Sequence, residues 1–464
     1  MALRGIRRSN HVQRKEIAYQ CGELRKTTIR NKFWQPKIEK LSPAQLRQLQ
    51  ERRLRSTFVY AYKNSRFYRK LFKEEKLDSG SIRTAKDIEK IPFTSKTHFR
   101  DNYPLGLLAS NSIIRIHASS GTTGDPTIVA YSRNDIESWS DCIARCLTMS
   151  GITRQDRFQI ILGYGLFTGG LGFHYGAEKI GTTVVPSGTG NTKRQVKLMR
   201  DLHVTAFTSI PSYSLYLAET AEGLGIEPSV DLEIKSISCG AEVWSQSIRK
   251  RIENKFGCQV FNSYGLSEMF GPGVAFECIK QDGMHVWSDH FIAEVIDPKT
   301  GETVDVEEEG ELVLTTLTKE AMPVLRYRTG DLTKLLDGSC DCGRTHQRIS
   351  WITGRCDDMI KVRGVNLFPT QIESAIMGLE GVGSNYQIVL SKKGVLDEIT
   401  VDLEAEERVW NKGDRAVKDL TEKIRSKVLS VTGLKAAVNL LPEGFLPRTE
   451  GKVKRVRDSR NLDV

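Results

Sequence analysis

The sequence predicts an α/β protein, with a large N-terminal domain of βαβ-type sheets that includes an antiparallel subdomain, and a small α+β C-terminal domain. Between residues 112 and 335, short β-rich runs alternate with helical runs, which is typical of a largely parallel sheet. After Val286 the predicted strands follow one another without helices, and mixed elements resume from residue 359. We expect a large domain over residues 1–356 and a small domain over residues 357–464.

Each region contributes its own set of predicted elements. The strands of the βαβ region are Ile113–Ile116, Arg157–Leu162, Thr182–Val185, Ala206–Ser209, Ile234–Ser238 and Gln259–Asn262. Those of the antiparallel subdomain are Phe291–Ile296 and Glu311–Thr316. The small domain should contain the strands Ile360–Val362, Asn385–Leu390, Glu398–Leu403 and Ala437–Leu441 and the helices Pro369–Met377 and Ala416–Leu429. Residues 34–75 are predicted to be helical, with a start signal at Ser42-Pro43.

Composition narrows the class of protein. The 464 residues carry a formal net charge of +11, which suits polyanionic small molecules such as nucleotides and CoA. No recognition-helix signature is present, so no nucleic-acid partner is expected. Nine irregularly spaced cysteines indicate a reducing compartment, and no apolar run is long enough for a membrane span. We therefore expect a cytoplasmic protein whose residues 1–32 form a basic arm, with a transit peptide as the alternative.

A loop rich in glycine and hydroxyl side chains, Ser119–Pro126, follows the first predicted strand. Its backbone N–H groups can wrap phosphate oxygens, because glycines allow the turn to close around a small anion. It lacks the Gly-Lys-Ser/Thr ending of a Walker A loop. A merely flexible turn is the alternative.

Three further signatures carry polar side chains that suit a nucleotide. In Ser263–Glu268, which follows a predicted strand, Tyr264 suits a purine face and Glu268 suits Mg²⁺; a structural turn is the equal alternative. Asp331, expected at a strand end, suits ribose hydroxyls, and nearby Arg326 and Arg328 suit either phosphate or surface ion pairs. Lys452, in a glycine-containing loop, suits the α-phosphate, although a lone lysine is normally solvated.

A second constellation of residues suggests a metal. Cys340 and Cys342 form a tight thiol pair, and Cys278 and His285 lie upstream. Two thiolates from one turn with a cysteine and a histidine from another satisfy tetrahedral Zn²⁺, whereas a reduced thiol pair is the default for Cys-x-Cys alone. His290, His346 and Cys356 are the reserve ligands. Such a site would be structural.

From Phe33 to Arg457, these residues resemble the ATP-dependent acyl-adenylate-forming (AMP-binding) superfamily, and within it the phenylacetate–CoA ligase family. The resemblance is carried by the signatures above, by Gly354–Gly364, and by further segments. Those segments are Trp34, Tyr62–Tyr68, Tyr164–Gly170, Gly240–Glu242 and Arg363–Asn366. Thr127 stands where many superfamily members have lysine, a departure that favours this branch. Some relatives in this family carry zinc, which strengthens the metal prediction.

The resemblance implies a role for each matching residue. The triphosphate contacts would be Ser119, Ser120, Gly121, Thr122, Thr123 and Gly124. Glu242, Tyr264 and Gly265 would border the adenine and acyl pocket, Glu268 would ligate Mg²⁺, and Asp331 would hold the ribose. Lys452 would serve adenylation, Arg355 would join the nucleotide site, and Gly364 would line the thiol entry. Asp357 would be the hinge that makes the small C-terminal domain mobile.

These expectations combine into an AMP-forming acid–thiol ligase that uses ATP, Mg²⁺ and CoA on an aryl or arylacetic carboxylate. Tyr164–Gly170, with Phe173 and His174, is expected to shape the acyl pocket, although core packing competes for Phe167 and a structural role for His174. The alternatives are adenylyl transfer to a deazaflavin-type coenzyme, acyl loading of a carrier protein, and a nucleotide-binding regulator without catalysis. The resemblance also implies a homodimer.

Overall fold

The computed structural model describes residues 32–119, 126–363, 365–393, 396–448 and 455–460. Within these ranges the α/β fold class is confirmed. The α-helices are Pro36–Glu39, Pro43–Asn64, Arg66–Glu74, Lys96–Asp101, Arg133–Met149, Thr168–Lys179, Thr192–Asp201, Pro211–Gly223, Pro228–Asp231, Gln246–Phe256, Pro369–Met377, Glu407–Trp410 and Asp414–Thr432, with a 3-10 helix at Ala85–Lys90. None of these helices is both long and apolar enough to cross a lipid bilayer.

The strands are numbered in chain order. They are β1 (Arg115–Ala118), β2 (Ile128–Tyr131), β3 (Arg157–Ile160), β4 (Thr183–Val185), β5 (Ala206–Ser209), β6 (Ser236–Gly240), β7 (Gln259–Leu266), β8 (Gly271–Glu277), β9 (Met284–Val286), β10 (Phe291–Ile296), β11 (Gly310–Thr316), β12 (Tyr327–Thr333), β13 (Leu335–Leu336), β14 (Arg348–Ile349), β15 (Gly354–Arg355), β16 (Ile360–Val362), β17 (Val365–Leu367), β18 (Val382–Lys393), β19 (Leu396–Ala405), β20 (Ala437–Leu441) and β21 (Val456–Asp458).

A nine-stranded sheet forms the centre of the large domain, in the order β13-β14-β9-β8-β7-β6-β5-β3-β4. Strands β3 to β7 pair in parallel, whereas the pairs from β7 to β13 are antiparallel. The central parallel strands β5 and β6 are buried, which explains why they appear as short apolar runs without alternation. The predicted βαβ region is therefore present, and β7 leads directly into the antiparallel half.

The first predicted strand is an exception. The run Ile113–Ile116 was expected to belong to the parallel sheet, but the structure shows β1 at Arg115–Ala118 paired only with β2 in an antiparallel hairpin. A β-rich run specifies an extended backbone but not a partner, and here the partner is the next strand in sequence. The predicted phosphate loop consequently lies in the sequence between two strands that pair with each other.

The antiparallel subdomain is a four-stranded sheet in the order β10-β11-β12-β15. Asp331 lies inside β12, which corrects the expectation that it stands at a strand end. Its neighbour across the sheet is Arg355 in β15, so the register places this arginine beside the carboxylate.

The C-terminal elements form a mixed sheet in the order β20-β19-β18-β21, accompanied by the hairpin β16–β17. The central β18–β19 pair is antiparallel and both outer pairs are parallel. The helices Pro369–Met377 and Asp414–Thr432 pack on this sheet, and one continuous apolar core joins it to the large domain. All the small-domain elements predicted from sequence are present.

The N-terminal helical region breaks at two serines. Ser42 begins the long helix Pro43–Asn64 with a capping box, in which its hydroxyl accepts from the backbone N–H of Gln45. Ser65 ends that helix and caps the next, Arg66–Glu74. Their apolar faces meet through the stacked rings of Phe58 and Phe72, whose centroids are 4.5 Å apart.

Candidate active site and metal centre

The hairpin β1–β2 closes the base of the predicted phosphate loop. The backbone N–H of Ser119 donates to the carbonyl of Thr127 at 2.9 Å, and the N–H of Thr127 donates to Ser119 Oγ at 3.0 Å. This reciprocal pair fixes both ends of the loop. The predicted triphosphate contacts Ser120, Gly121, Thr122, Thr123 and Gly124 lie outside the described residues, as do Gly364 and Lys452.

Tyr264 of β7, Asp331 of β12 and Arg355 of β15 form a compact polar cluster. The Tyr264 hydroxyl donates to Asp331 Oδ2 at 2.6 Å, and Arg355 Nη1 lies 2.5 Å from Asp331 Oδ1. Burial raises the pKa of Asp331, and the charge of Arg355 opposes that shift. Arg355 also holds Asp357 through its Nε at 2.8 Å, so the predicted hinge residue is tied to the predicted ribose carboxylate.

Close packing of two strands leaves no room for a side chain at Gly265. A Cβ at this position would collide with the carbonyl oxygen of Gly271, because β7 and β8 approach closely at a register shift. The turn that follows carries Glu268, a buried carboxylate whose Oε1 accepts from the Tyr327 hydroxyl at 3.1 Å. The tight packing at Gly265 thus helps to fix the position of Glu268.

Lys319 is a site residue that the sequence did not suggest. Its Nζ donates to the backbone carbonyl of Glu268 at 2.7 Å and lies 5.1 Å from the ring centroid of Tyr131. The side chain is buried, which lowers its pKa to about 8, while Asp135 and Glu268 oppose that shift. No motif surrounds Lys319, so only its distant neighbours in the fold distinguish it from a solvated lysine.

Glu242 lines a cleft of about 1070 Å³ between the large and small domains. Its carboxylate accepts from the backbone N–H and the hydroxyl of Ser212 at 3.1 and 2.8 Å. Preceding Ala241 has φ of 67°, a backbone conformation that is uncommon for a residue with a side chain. The cleft is lined by residues from both domains, including Arg355, Asp357 and Lys361.

The two arginines of the Arg326–Asp331 signature pair with carboxylates. Arg326 is buried and its Nη2 lies 3.0 Å from Glu294, while Arg328 binds Glu311 at 2.5 Å. The ion-pair alternative therefore describes them, although Arg326 is buried and not on the surface. They brace the four-stranded sheet that carries Asp331.

The predicted acyl segment places His174 between two partners. Its Nδ1 lies 3.2 Å from the Tyr164 hydroxyl and its Nε2 lies 3.1 Å from Glu178, which fits the structural role. Burial raises the pKa of Tyr164. Phe167 is 49% exposed, so the core-packing alternative is wrong for this side chain.

The four residues predicted to bind zinc converge. The ligand atoms of Cys278, His285, Cys340 and Cys342 all lie within 4.8 Å of one another, and all four residues are buried. Cys278 Sγ and Cys340 Sγ are 3.6 Å apart, close to the edge of roughly 3.8 Å that a tetrahedron with ~2.3 Å Zn–S bonds requires. This separation is far beyond the length of a disulfide bond, so Cys278 and Cys340 are not joined to each other.

The surroundings of these four residues, the cysteine–histidine quartet, suit a metal. Nδ1 of His285 faces the His346 carbonyl at 3.4 Å, which directs Nε2 toward Cys342 Sγ at 3.3 Å. Hydrogen bonds from the Cys278 and Cys340 thiols lower the pKa of Cys342, and the same contacts raise the pKa of Cys278, so the sulfurs interact closely with one another.

The reserve ligands are engaged elsewhere. His290 pairs with Asp289 and Thr318, and the His346 ring bonds to Ser288 and Ile38. Cys356 follows β15, next to the predicted hinge residue Asp357, and its backbone N–H donates to the Gly330 carbonyl. None of these three belongs to the quartet that the described part of the chain brings together.

Comparisons with known proteins agree with this arrangement. Residues 13–317 match the family model of AMP-binding enzymes, and residues 364–460 match that of the AMP-binding enzyme C-terminal domain. The chain is 44% identical to phenylacetate-coenzyme A ligase of Thermus thermophilus, over 92% of this chain and all of that protein.

Solved structures of 2-hydroxyisobutyryl-CoA ligase are similar over most of the chain, at 28% identity. In the postadenylation state with R3-HIB-AMP, that enzyme superposes with a TM-score of 0.86 and 91% coverage of both chains. In the thioesterification state with 2-HIB-AMP and CoA, the TM-score is 0.68, with 92% of this chain and 93% of that chain covered. The chain therefore belongs to the AMP-binding enzymes, and within them to the phenylacetate–CoA ligase family.

Proposed function

We propose that this chain is an AMP-forming ligase that activates an aryl or arylacetic carboxylate with Mg·ATP and then transfers the acyl group to CoA. The observation that carries the proposal is the convergence of Tyr264, Glu268, Asp331 and Arg355 beside the cleft between the two domains. It is supported by 44% identity to a protein described as phenylacetate-coenzyme A ligase.

The nucleotide roles follow from the acceptor capacity of the buried carboxylates. Each oxygen of Asp331 already accepts one donor and keeps a second lone pair, which suits the two ribose hydroxyls. Glu268 lies in a turn fixed by Lys319 and Tyr327, so its carboxylate is a rigid oxygen ligand of the kind Mg²⁺ prefers. When bound there, Mg²⁺ would offset the charge of the phosphates.

The proposed reaction proceeds in two steps, adenylation and thioester formation. In the first, a carboxylate oxygen of the acid attacks the α-phosphorus of ATP, and the bond to the leaving pyrophosphate breaks. In the second, the CoA sulfur attacks the acyl carbon, the bond from that carbon to the AMP oxygen breaks, and the thiol proton passes to solvent as AMP leaves. Lys452 would offset charge in the first step, and rotation of the small domain about Asp357 would admit the thiol.

Zinc at Cys278, His285, Cys340 and Cys342 would be structural. The four side chains are buried and provide two thiolates from the β13–β14 loop, a third thiolate from Cys278 directly after β8, and an imidazole from β9. With four protein ligands the tetrahedron is complete and leaves no position for substrate. The metal would therefore fasten the loop to the sheet without taking part in the chemistry.

A substrate panel tests the ligase function. Pyrophosphate release would be measured with Mg·ATP against aryl acids and a deazaflavin, with and without CoA, and the products identified by mass. We expect one acid to give an acyl-CoA thioester and free AMP. AMP retained on the deazaflavin, regardless of CoA, would instead identify an adenylyltransferase, and no pyrophosphate with any acceptor would identify a regulator.

Two finer points need separate measurements. Acyl transfer to a carrier protein in preference to CoA would change the acceptor but leave the adenylation step intact. The homodimer is testable by light scattering of the purified chain.

A further inference from the structure

Polar contacts between the large and small domains converge on one carboxylate of the large domain. Glu219, on the large-domain helix Pro211–Gly223, faces the base of the segment that leads to the C-terminus. Arg448 Nη2 lies 3.3 Å from Glu219 Oε2, and the Ser384 hydroxyl donates to Glu219 Oε1. Both partners belong to the small domain, so a single large-domain carboxylate holds two of its segments.

The same arginine is anchored firmly within the small domain. Both of its terminal nitrogens bind the fully buried carboxylate of Glu404, at 3.0 and 2.8 Å. The Arg448 side chain is therefore already held in place by Glu404, so binding to Glu219 costs little additional loss of side-chain entropy. Burial raises the pKa of Glu219, which the Ser384 hydroxyl and the Arg448 charge oppose.

A second large-domain side chain extends this contact. Arg251, on the helix Gln246–Phe256, donates to the Val382 and Gly383 carbonyls at the start of β18, the latter at 2.7 Å. These residues directly precede Ser384, so Arg251 and Glu219 hold the same end of one strand. Nearby, the backbone N–H of Ser245 donates to the buried small-domain carboxylate of Glu373 at 3.0 Å.

We propose that Glu219 and Arg251 are positioning residues that hold the small domain in its adenylation arrangement, and that their release permits thioester formation. This inference rests on the proposed two-step function. The arrangement seen here superposes better on the relative's postadenylation state than on its thioesterification state, with TM-scores of 0.86 and 0.68. Rotation about Asp357 would carry β18 and Arg448 away from helices that stay with the large domain.

The test compares the two half-reactions in a Glu219→Gln variant. Glutamine can still accept from Ser384, so chiefly the ion pair with Arg448 is lost. We expect acid-dependent exchange between pyrophosphate and ATP to slow about five- to tenfold, as loss of a partly buried ion pair allows. Thioester formation from supplied acyl-adenylate and CoA should be unchanged or faster, and hydrogen exchange at residues 382–384 should increase.

Glu222→Gln is the matched control. Glu222 lies on the same helix, but its ion pair with Lys255 stays within the large domain. The control should leave both half-reactions and the exchange at residues 382–384 unchanged. Equal loss of both half-reactions in Glu219→Gln, or no change in either, would overturn the proposal. If the wild-type chain adenylates no acid, the proposed function fails, and hydrogen exchange alone still decides whether Glu219 holds the small domain.

Discussion

Asp331 shares its two carboxylate oxygens between the Tyr264 hydroxyl and the Arg355 guanidinium. A Tyr264→Phe variant loses one of these donors to a buried carboxylate. We expect the KM for ATP to rise about tenfold, because the ribose ligand is less well held and more easily protonated. Steady-state kinetics at saturating acid and CoA measure this change.

Tyr60→Phe is a suitable control, since Tyr60 donates to the Ala109 carbonyl and has no contact with Asp331. An unchanged KM for ATP in Tyr264→Phe would show that this hydroxyl does not support the nucleotide site.

Lys319 predicts a pH dependence of stability. Its folded-state pKa of about 8 lies below the ordinary value of 10.5, so between these values the unfolded chain binds more protons than the folded chain. Lys319 therefore lowers the free energy of unfolding most below pH ~8, and this destabilisation decreases as the pH rises.

Relative to Lys319→Met, the free energy of unfolding of the wild type should increase by about 2 kcal/mol between roughly pH 7.5 and 10. Denaturant titrations of both proteins at several pH values measure the difference. Parallel pH profiles would mean that the lysine is not desolvated.

Sequence patterns located the polar residues of the site better than their partners. Tyr264, Asp331 and Arg355 come from three separate signatures, and the fold brings them into direct contact. Lys319 was missed because a buried lysine is defined by its surroundings, which here are residues far away in sequence. For the same reason, the sequence did not show which carboxylates pair with Arg326 and Arg328.

At the scale of elements, the β13–β14 loop is tied to two parts of the fold. Cys340 and Cys342 meet Cys278 and His285 of the central sheet. Two residues further on, Arg344 forms a fully buried ion pair with Glu39 of the first helix, at 2.8 Å. Loss of a metal at the quartet should therefore loosen the N-terminal segment as well as the loop.

The purified chain should contain about one zinc per molecule, and a Cys342→Ser variant should lose it. The melting temperature should fall in the variant, because the loop then loses its metal-mediated bonds to Cys278 and His285. Elemental analysis and calorimetry measure both effects. Cys356→Ser, outside the quartet, should keep its zinc; wild-type protein prepared without chelators and free of metal would contradict the assignment.

The bounds of helices and strands were predicted most accurately where a short stretch of sequence itself specifies the element. The strands Ala206–Ser209, Phe291–Ile296 and Ala437–Leu441 and the helix Pro369–Met377 have the predicted bounds. The cysteine quartet was predictable because ligand types and short spacings are visible in sequence. The pairing of β1 was not, because a four-residue strand carries no information on which edge it joins.

At the scale of the whole molecule, the two half-reactions are expected to depend on different parts of the chain. Lys452→Ala should reduce acid-dependent pyrophosphate–ATP exchange by about a hundredfold or more, since a charge facing the transition state is lost. Thioester formation from supplied acyl-adenylate should survive. Lys435→Ala, an exposed small-domain lysine, should affect neither step. Equal loss of both activities in Lys452→Ala would contradict a role confined to adenylation.

The path of one carboxylate oxygen tests the central claim most directly. An aryl acid that the panel identifies as substrate would be labelled with heavy oxygen in its carboxyl group and converted with Mg·ATP and CoA. Because the carboxylate attacks the α-phosphorus and the thiol then displaces AMP, the account predicts one labelled oxygen in AMP and one in the thioester. Unlabelled AMP, or label recovered in orthophosphate, would contradict an acyl-adenylate intermediate.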